Sequence, residues 1–254
     1  MANEQLYGRN AVREALRARR RQLHRLYVSS GVQETGVIAE IIRLAEEAGV
    51  PVQRVERQAL DRQLREANHQ GVMLEAGPYP YVELEECLAL AAERREPALL
   101  LLLDHLQDPQ NVGTLLRTAE VVGAHGVLMP GRRAAEITPA VVNASSGATE
   151  HLRTVLVGNL GQAIVELQKA GVWVVGLEDD ERAQDLDAAD LNMPLGLVVG
   201  AEGTGLARLV RERCDFLVRL PMAGRVASLN AAVAGSIALY GAWRQRFRNG
   251  RGES

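Results

Sequence analysis

Residues 99 to 103 are five consecutive leucines, ended by Asp104. A run of strand length with no polar alternation cannot lie on a sheet that shows one face to water. It needs helices over both faces, which is the setting of a parallel sheet. Leu195-Gly196-Leu197-Val198-Val199 reads the same way. Strands are predicted at 98–103, 126–129, 152–157, 172–177, 195–199 and 216–220. Helices are predicted between them at 82–95, 110–122, 138–145, 159–170 and 206–213, with a last helix from Ser228 to about Arg246. This alternation predicts an α/β fold with a parallel sheet in the C-terminal part. With 254 residues, 47% of them apolar, the chain can bury a large core, and disorder is excluded. The longest aliphatic stretch, Ala98 to Leu103, is far too short to span a membrane.

The first 76 residues read as a separate, smaller α/β unit. Val12, Ala15 and Leu16 share a helical face with Arg13 and Arg17 outside it. A strand follows at Leu23–Val28, a helix at Val37–Ala48, a strand at Val50–Val55, a helix at Gln58–Glu66 and a strand at Gly71–Glu75. Ala76-Gly-Pro-Tyr-Pro-Tyr81 holds two prolines and a glycine in six residues, so it can continue neither helix nor sheet. The predicted division is therefore 1–76, a linker with the first helix at 77–96, and a main domain at 97–254.

Charge permits a nucleic-acid partner without demanding one. The net charge is −3, yet residues 1–25 carry seven Arg against two Glu, and Arg outnumbers Lys 28 to 1. Guanidinium groups suit phosphate forks and base stacking, but a genome that prefers Arg throughout would give the same ratio. Cys87 and Cys214 are the two cysteines, too far apart in sequence for a Cys-x-x-Cys site. They exclude a disulfide framework and fit a reducing cytoplasm. The five histidines never fall at i, i+4, so no helical metal pair is expected. The N-terminus lacks the charged-then-apolar pattern of a secretion signal.

Three segments can carry chemistry. The first, Asp104 to Ala119, leaves a buried strand and opens a helix near Asp108, Pro109 and Gln110. It places Asn111 at the carboxyl end of the strand, where open parallel sheets gather ligands, and Arg117 two helical turns further on. Taken singly, Asn111 also fits turn chemistry and Arg117 a solvated helix charge. The second, Val198-Val-Gly-Ala-Glu-Gly-Thr-Gly-Leu206, has three glycines in six residues that let backbone approach a ligand. It is neither a Walker loop nor a dinucleotide fingerprint. Glu202 inside it would repel phosphate and suits a cationic or hydroxyl-bearing ligand, although a purely structural turn has the same composition. The third, Leu220 to Ala234, runs from a strand through a Gly-containing loop into the last helix. Ser228 is its expected N-cap and Asn230 would fall in the first turn. All three turns open at one end of one sheet, as a shared pocket requires.

Together Asn111-Val-Gly-x-x-x-Arg117, Val199-Gly-Ala-Glu-Gly203 and Leu220-Pro-Met-x-Gly-x-x-x-Ser-Leu-Asn230 closely resemble the three motifs of the SPOUT superfamily, in its SpoU/TrmH branch of RNA ribose 2′-O-methyltransferases. The N-terminal segment resembles the family's ribosomal-protein-like auxiliary domain. Tyr7-Gly-Arg-Asn-Ala-Val-Arg-Glu-Ala-Leu16 and Asn68-His-Gln-Gly71 match the 23S rRNA guanosine-2′-O-methyltransferase group best. The resemblance implies a deep trefoil knot in the C-terminal sheet, S-adenosylmethionine as cofactor, no metal, an RNA substrate rather than DNA, and a homodimer that builds each active site across its interface. It implies cofactor contacts at Gly200, Leu220, Met222 and Leu229, and catalytic or substrate-side roles for Asn111, Arg117, Glu202, Ser228 and Asn230.

The chemistry fits those residue types. A ribose 2′-hydroxyl is a weak nucleophile and needs in-line approach to the methyl carbon at about 3–3.5 Å, so positioning supplies much of the rate. A guanidinium holds its proton so tightly that it is a poor base, so Arg117 is expected to stabilise the developing alkoxide and orient a phosphate. Methylation of a 23S rRNA guanosine is the expected reaction, with tRNA guanosine as the alternative substrate. An oxidoreductase with an unusual Gly loop and a catalytically silent rRNA-binding protein are the competing classes.

Overall fold

A computed structural model describes residues 3–65, 67–131, 136–225 and 228–250, without the side chains of 248–250. Glu66, the expected end of one helix, lies outside the described residues. The chain's contacts divide it into two units, Met1–Pro80 with Ile137–His151, and Tyr81–Glu136 with Leu152–Ser254. A linear division at residue 76 does not anticipate that 137–151 joins the first unit.

The first unit begins with β1 (Glu4–Tyr7), α1 (Arg9–Ala18), β2 (Leu23–Ser29), α2 (Val37–Glu47), β3 (Val52–Val55), α3 (Arg57–Gln63) and β4 (Val72–Ala76). Its sheet runs β1-β4-β2-β3; β4 is antiparallel to both neighbours and β2 is parallel to β3. Leu6 and Leu26 flank Leu74 in register, and all three are fully buried. The apolar faces of α1 (Val12, Ala15, Leu16) and α2 (Ile38, Ile41, Ala45) are likewise buried. Met73 points to the opposite face and packs with Leu60 and Leu64. Sequence reading missed β1, because Glu-Gln-Leu-Tyr is too short and polar to announce a strand.

The second unit contains α4 (Leu84–Arg94), β5 (Leu99–Asp104), α5 (Pro109–Val121) and β6 (Gly126–Pro130). The chain then contributes α6 (Pro139–Ala144) and a single 3-10 turn (Ala148–His151) to the first unit. There Asn143 Nδ2 donates to the Tyr7 carbonyl at 2.9 Å. Arg21, its side chain fully buried, donates to both carboxylate oxygens of the equally buried Glu150 at 3.0 and 2.8 Å. The second unit resumes with β7 (Thr154–Val157), α7 (Leu160–Lys169), β8 (Trp173–Leu177), the two-residue β9 (Gln184–Asp185), β10 (Leu195–Gly200), α8 (Arg208–Arg213), β11 (Phe216–Arg219) and α9 (Ala231–Gly250).

The seven strands of this unit form one all-parallel sheet in the order β7-β6-β5-β10-β8-β11-β9. The leucine run occupies β5 and is buried along its whole length, so both faces are covered as its composition requires. β10 inserts between β5 and β8, which sets Gly200 beside Asp104 at their carboxyl ends. The strands expected at 98–103, 126–129, 152–157, 172–177, 195–199 and 216–220 all form, within two residues at each end.

The last helix departs from expectation. It starts at Ala231 rather than Ser228, and Asn230 is its cap: Asn230 Oδ1 accepts the Ala232 and Val233 N–H groups at 3.0 and 3.2 Å. Serine and asparagine cap equally well, so the sequence alone does not choose between them. At α5, Asp108 is the cap. Its carboxylate accepts from the Gln110 and Asn111 N–H groups at 3.3 and 3.1 Å, with Pro109 opening the helix.

Candidate active site

Three strand-to-helix turns of the second unit converge, each for a local reason. After β10 the chain bends sharply at Gly200, which lies against the Gly205 carbonyl and 2.7 Å, measured from an added Cβ, from the Leu206 nitrogen. Gly203 and Gly205 both take positive φ, +78° and +65°, and the Gly205 N–H returns to the Ala201 carbonyl at 2.9 Å. Only glycine adopts this path without strain. α9 then packs against α5 and β10 at Gly235, where a Cβ would come within 2.6 Å of Leu115 and 2.9 Å of Val199. Thr118 and Ser236 hydroxyls add a 2.8 Å hydrogen bond across the same seam. That packing fixes Asn230, at the head of α9, beside Asn111, at the head of α5.

The result is a polar junction. Asn230 Nδ2 donates to Asn111 Oδ1 at 2.9 Å and to Glu202 Oε2 at 3.2 Å, while its Oδ1 is engaged in capping. Every polar atom of this one side chain is used, so its amide orientation is set by the network. One residue from each of the three segments thus meets at a single carboxamide.

Beside the junction lies a cavity of about 340 Å³, within the range of a small-molecule site. Gly200, Glu202, Leu220, Met222, Ser228 and Leu229 line it, so all four residues expected at the cofactor and two of the five expected at the substrate are there. Asn111 and Asn230 join it through Glu202. Arg117 does not line it; the side chain is exposed on α5. Sequence reading missed Glu178 and Asp179 of the lining, at the carboxyl end of β8, and Arg219 at the end of β11. The rule that ligands gather at carboxyl ends of parallel strands would have pointed to them.

Three carboxylates, Glu178, Asp179 and Glu202, line the cavity. Glu178 is paired with Arg211, Nε to Oε2 at 2.7 Å, and Arg219 with Asp185 at 2.8 Å. Among the described residues no arginine forms a hydrogen-bonded pair with Asp179 or Glu202. Val199, Leu220 and Leu229 add apolar surface to the lining. An adenosyl sulfonium, cationic at sulfur and apolar elsewhere, fits that donor set, whereas a dinucleotide pyrophosphate would be repelled. Among the described residues no cluster of His, Cys, Asp and Glu could hold a metal ion.

Comparison with known proteins agrees with this geometry. Residues 98–240 match the model of the SpoU rRNA methylase family, and residues 5–82 match that of the RNA 2′-O ribose methyltransferase substrate-binding domain. YacO of Bacillus subtilis (strain 168), named as a TrmH-family tRNA/rRNA methyltransferase, is 43% identical over 96% of both chains. The SpoU methyltransferase AviRb of Streptomyces viridochromogenes, crystallised with S-adenosylmethionine, superposes with a TM-score of 0.79 at 26% identity. That match covers 97% of this chain and 91% of AviRb. The tRNA-modifying TrmH/SpoU enzyme of A. aeolicus matches 61% of this chain and 78% of its own, with a TM-score of 0.55 at 26% identity. The chain therefore belongs to the SpoU/TrmH family and is an S-adenosylmethionine-dependent RNA 2′-O-ribose methyltransferase.

Proposed function

We propose that the chain methylates the ribose 2′-hydroxyl of a guanosine in 23S rRNA, in the cytoplasm, as a homodimer. The observation that carries this reading is the Asn111–Asn230–Glu202 junction at the edge of a cofactor-sized cavity. It offers hydrogen-bonding groups to a ribose beside the place where a methyl donor fits. Preference for rRNA rests on the first unit. The A. aeolicus tRNA enzyme matches only 61% of the chain, whereas this chain carries a substrate-binding match over residues 5–82. In this reading residues 1–76 capture RNA, 77–96 join the parts and 97–254 carry the chemistry, with 137–151 packed into the capturing unit.

When bound, the cofactor supplies an electrophilic methyl group on a sulfonium. Gly200, Leu220 and Leu229 hold it largely through backbone groups, with Met222 beside it. Asn111, Glu202, Ser228 and Asn230 orient the ribose and order the loops. Arg117 stabilises the negative charge developing on O2′ and steers the adjacent phosphate. It does so from a second copy of the chain: in its own copy it stands on an exposed face of α5, outside the cavity. The second copy covers a stripe along α9, where Val233, Ile237, Tyr240 and Phe247 are each 42–46% exposed, next to Val121 of α5. Large apolar groups in a row at helical spacing are otherwise rare on a free surface.

Mapping 2′-O-methyl groups in rRNA and tRNA from a strain lacking the gene tests this reading. The expected result is one 23S rRNA guanosine that loses its methyl group and regains it on complementation. Loss confined to tRNA, or no loss in either RNA, would overturn it.

A further inference from the structure

The reading above gives Gly200, Leu220, Met222 and Leu229 a task in the cavity and leaves the acids at the end of β8 without one. Glu178, Asp179 and Asp180 are consecutive there, and their surroundings set them apart. Glu178 is held by Arg211 through both carboxylate oxygens. It also lies under the glycine turn, where a Cβ added at Gly205 would stand 2.8 Å from its Oε1. Asp180 turns back on its own loop, its Oδ1 accepting the Arg182 N–H at 2.9 Å and its two oxygens the Arg182 guanidinium at 3.0 and 3.1 Å. Asp179 is exposed and lines the cavity, and among the described residues its carboxylate has no hydrogen-bonded partner.

Its position follows from the sheet. β8 runs between β10 and β11. Leu177 pairs with Val199 on one side and Val218 on the other, and the Glu178 N–H extends the ladder to the Val218 carbonyl at 3.0 Å. Asp179, the next residue, leaves the sheet between the turn at Gly200 and Ala201 and the strand end at Leu220, and all of these line the cavity. It thus stands between the two backbone segments that hold the cofactor in the reading above. A guanidinium is close by. Arg219 has its pKa raised above the ordinary arginine value, first by its hydrogen bond to Asp185 and in smaller part by the Asp179 charge.

A carboxylate that a ligand covers needs donors from that ligand. S-adenosylmethionine offers three kinds: the ammonium of its amino-acid arm, the adenine amino group and the vicinal hydroxyls of its ribose. An ammonium at Asp179 would stand beside the Arg219 guanidinium and be repelled by it, whereas neutral hydroxyls would not. The adenine amino group would leave one carboxylate oxygen unused, but two hydroxyls on adjacent carbons match the two oxygens. We propose that Asp179 binds the 2′,3′-diol of the cofactor ribose, each carboxylate oxygen accepting one hydroxyl. This rests on the methyl-transfer reading above. Asp179 then acts on affinity and not on the transfer step, and it selects a ribonucleoside for the adenosyl arm.

The test is calorimetry on the whole enzyme with three ligands. They are S-adenosylhomocysteine, 5′-methylthioadenosine, which keeps the adenosine but lacks the amino-acid arm, and the 2′,3′-dideoxy form of S-adenosylhomocysteine. Asp179→Asn and Asp179→Ala should each weaken the first two by the same factor, about tenfold or more, the scale of a hydrogen bond to a charged group. The dideoxy ligand should bind wild type weakly, and the variants should change its affinity less than about threefold, because the groups that Asp179 holds are missing. The thermal midpoint should stay within about 2 °C, as for other exposed positions. A loss with S-adenosylhomocysteine that spares 5′-methylthioadenosine would assign Asp179 to the ammonium. A loss that persists in full with the dideoxy ligand would assign it to adenine, and unchanged affinities would leave it no role; each of these results would overturn the proposal. A wild-type enzyme that binds neither of the first two ligands would instead sink the methyl-transfer reading itself, and this proposal with it.

Discussion

Gly200 has no room for a side chain. Its Cβ would fall against the Gly205 carbonyl and the Leu206 nitrogen, both backbone, so the turn that floors the cavity would have to open. Gly200→Ala is expected to weaken S-adenosylmethionine binding at least about tenfold, measured by calorimetry, which corresponds to ~1.4 kcal/mol. Wild-type affinity in that variant would mean that the turn does not shape the site. At Arg117 the proposed role needs the fork as well as the charge. Arg117→Lys should leave cofactor binding intact and lower the methyl-transfer rate by about 10- to 100-fold. An unchanged rate with an unchanged pH profile would remove the orienting role. The polar residues of the junction were legible from residue type and spacing, since three turns offered Asn, Glu and Gly groups at one sheet end. That Asn230, rather than Ser228, is both the cap of α9 and the link to Asn111 and Glu202 was not legible, because it depends on how α9 packs on α5 through Gly235.

Among elements, the leucine run of β5 is the simplest case of sequence dictating place. An all-apolar strand has one stable position, inside a two-sided sheet. β1 and β9 are the opposite case. With four and two residues they exist only because a neighbouring strand offers its edge, so no pattern in their own sequence marks them. α6 was legible as a helix but not as a part of the first unit, since an amphipathic pattern does not name its partner. The buried Arg21–Glu150 pair beside it yields a stability prediction. Glu150→Ala leaves the buried Arg21 guanidinium with Glu4 as its remaining carboxylate and should cost about 1–3 kcal/mol, read from the denaturation midpoint. Replacing both residues together with apolar ones should recover most of that loss. At the start of β5, His125 Nδ1 accepts the Leu99 N–H at 3.0 Å, and burial holds its pKa below the usual histidine value. The unfolded chain therefore binds the proton first. His125 should make stability fall as pH drops below about 6.5, and His125→Gln should flatten that part of the stability–pH curve. A curve unchanged by the substitution would remove His125 as the cause.

For the whole molecule, the net charge of −3 conceals an uneven distribution: the first 25 residues hold seven Arg, six of them besides the buried Arg21. RNA affinity should therefore fall about tenfold or more between 50 and 200 mM salt, because even three phosphate contacts release that many counterions. The α9 stripe predicts self-association. Ile237→Glu should shift sedimentation from dimer to monomer and abolish methyl transfer with little effect on the thermal midpoint, whereas a monomeric wild type would refute a composite site. The central claim is that the cavity beside the Asn111–Asn230–Glu202 junction delivers a methyl group to a ribose hydroxyl of RNA. Its most direct test is to incubate the purified protein with tritium-methyl S-adenosylmethionine and 23S rRNA, digest to nucleosides and locate the label. Label in 2′-O-methylguanosine, with none transferred to DNA of the same sequence, is the predicted result; label on a base, or on DNA, would contradict it.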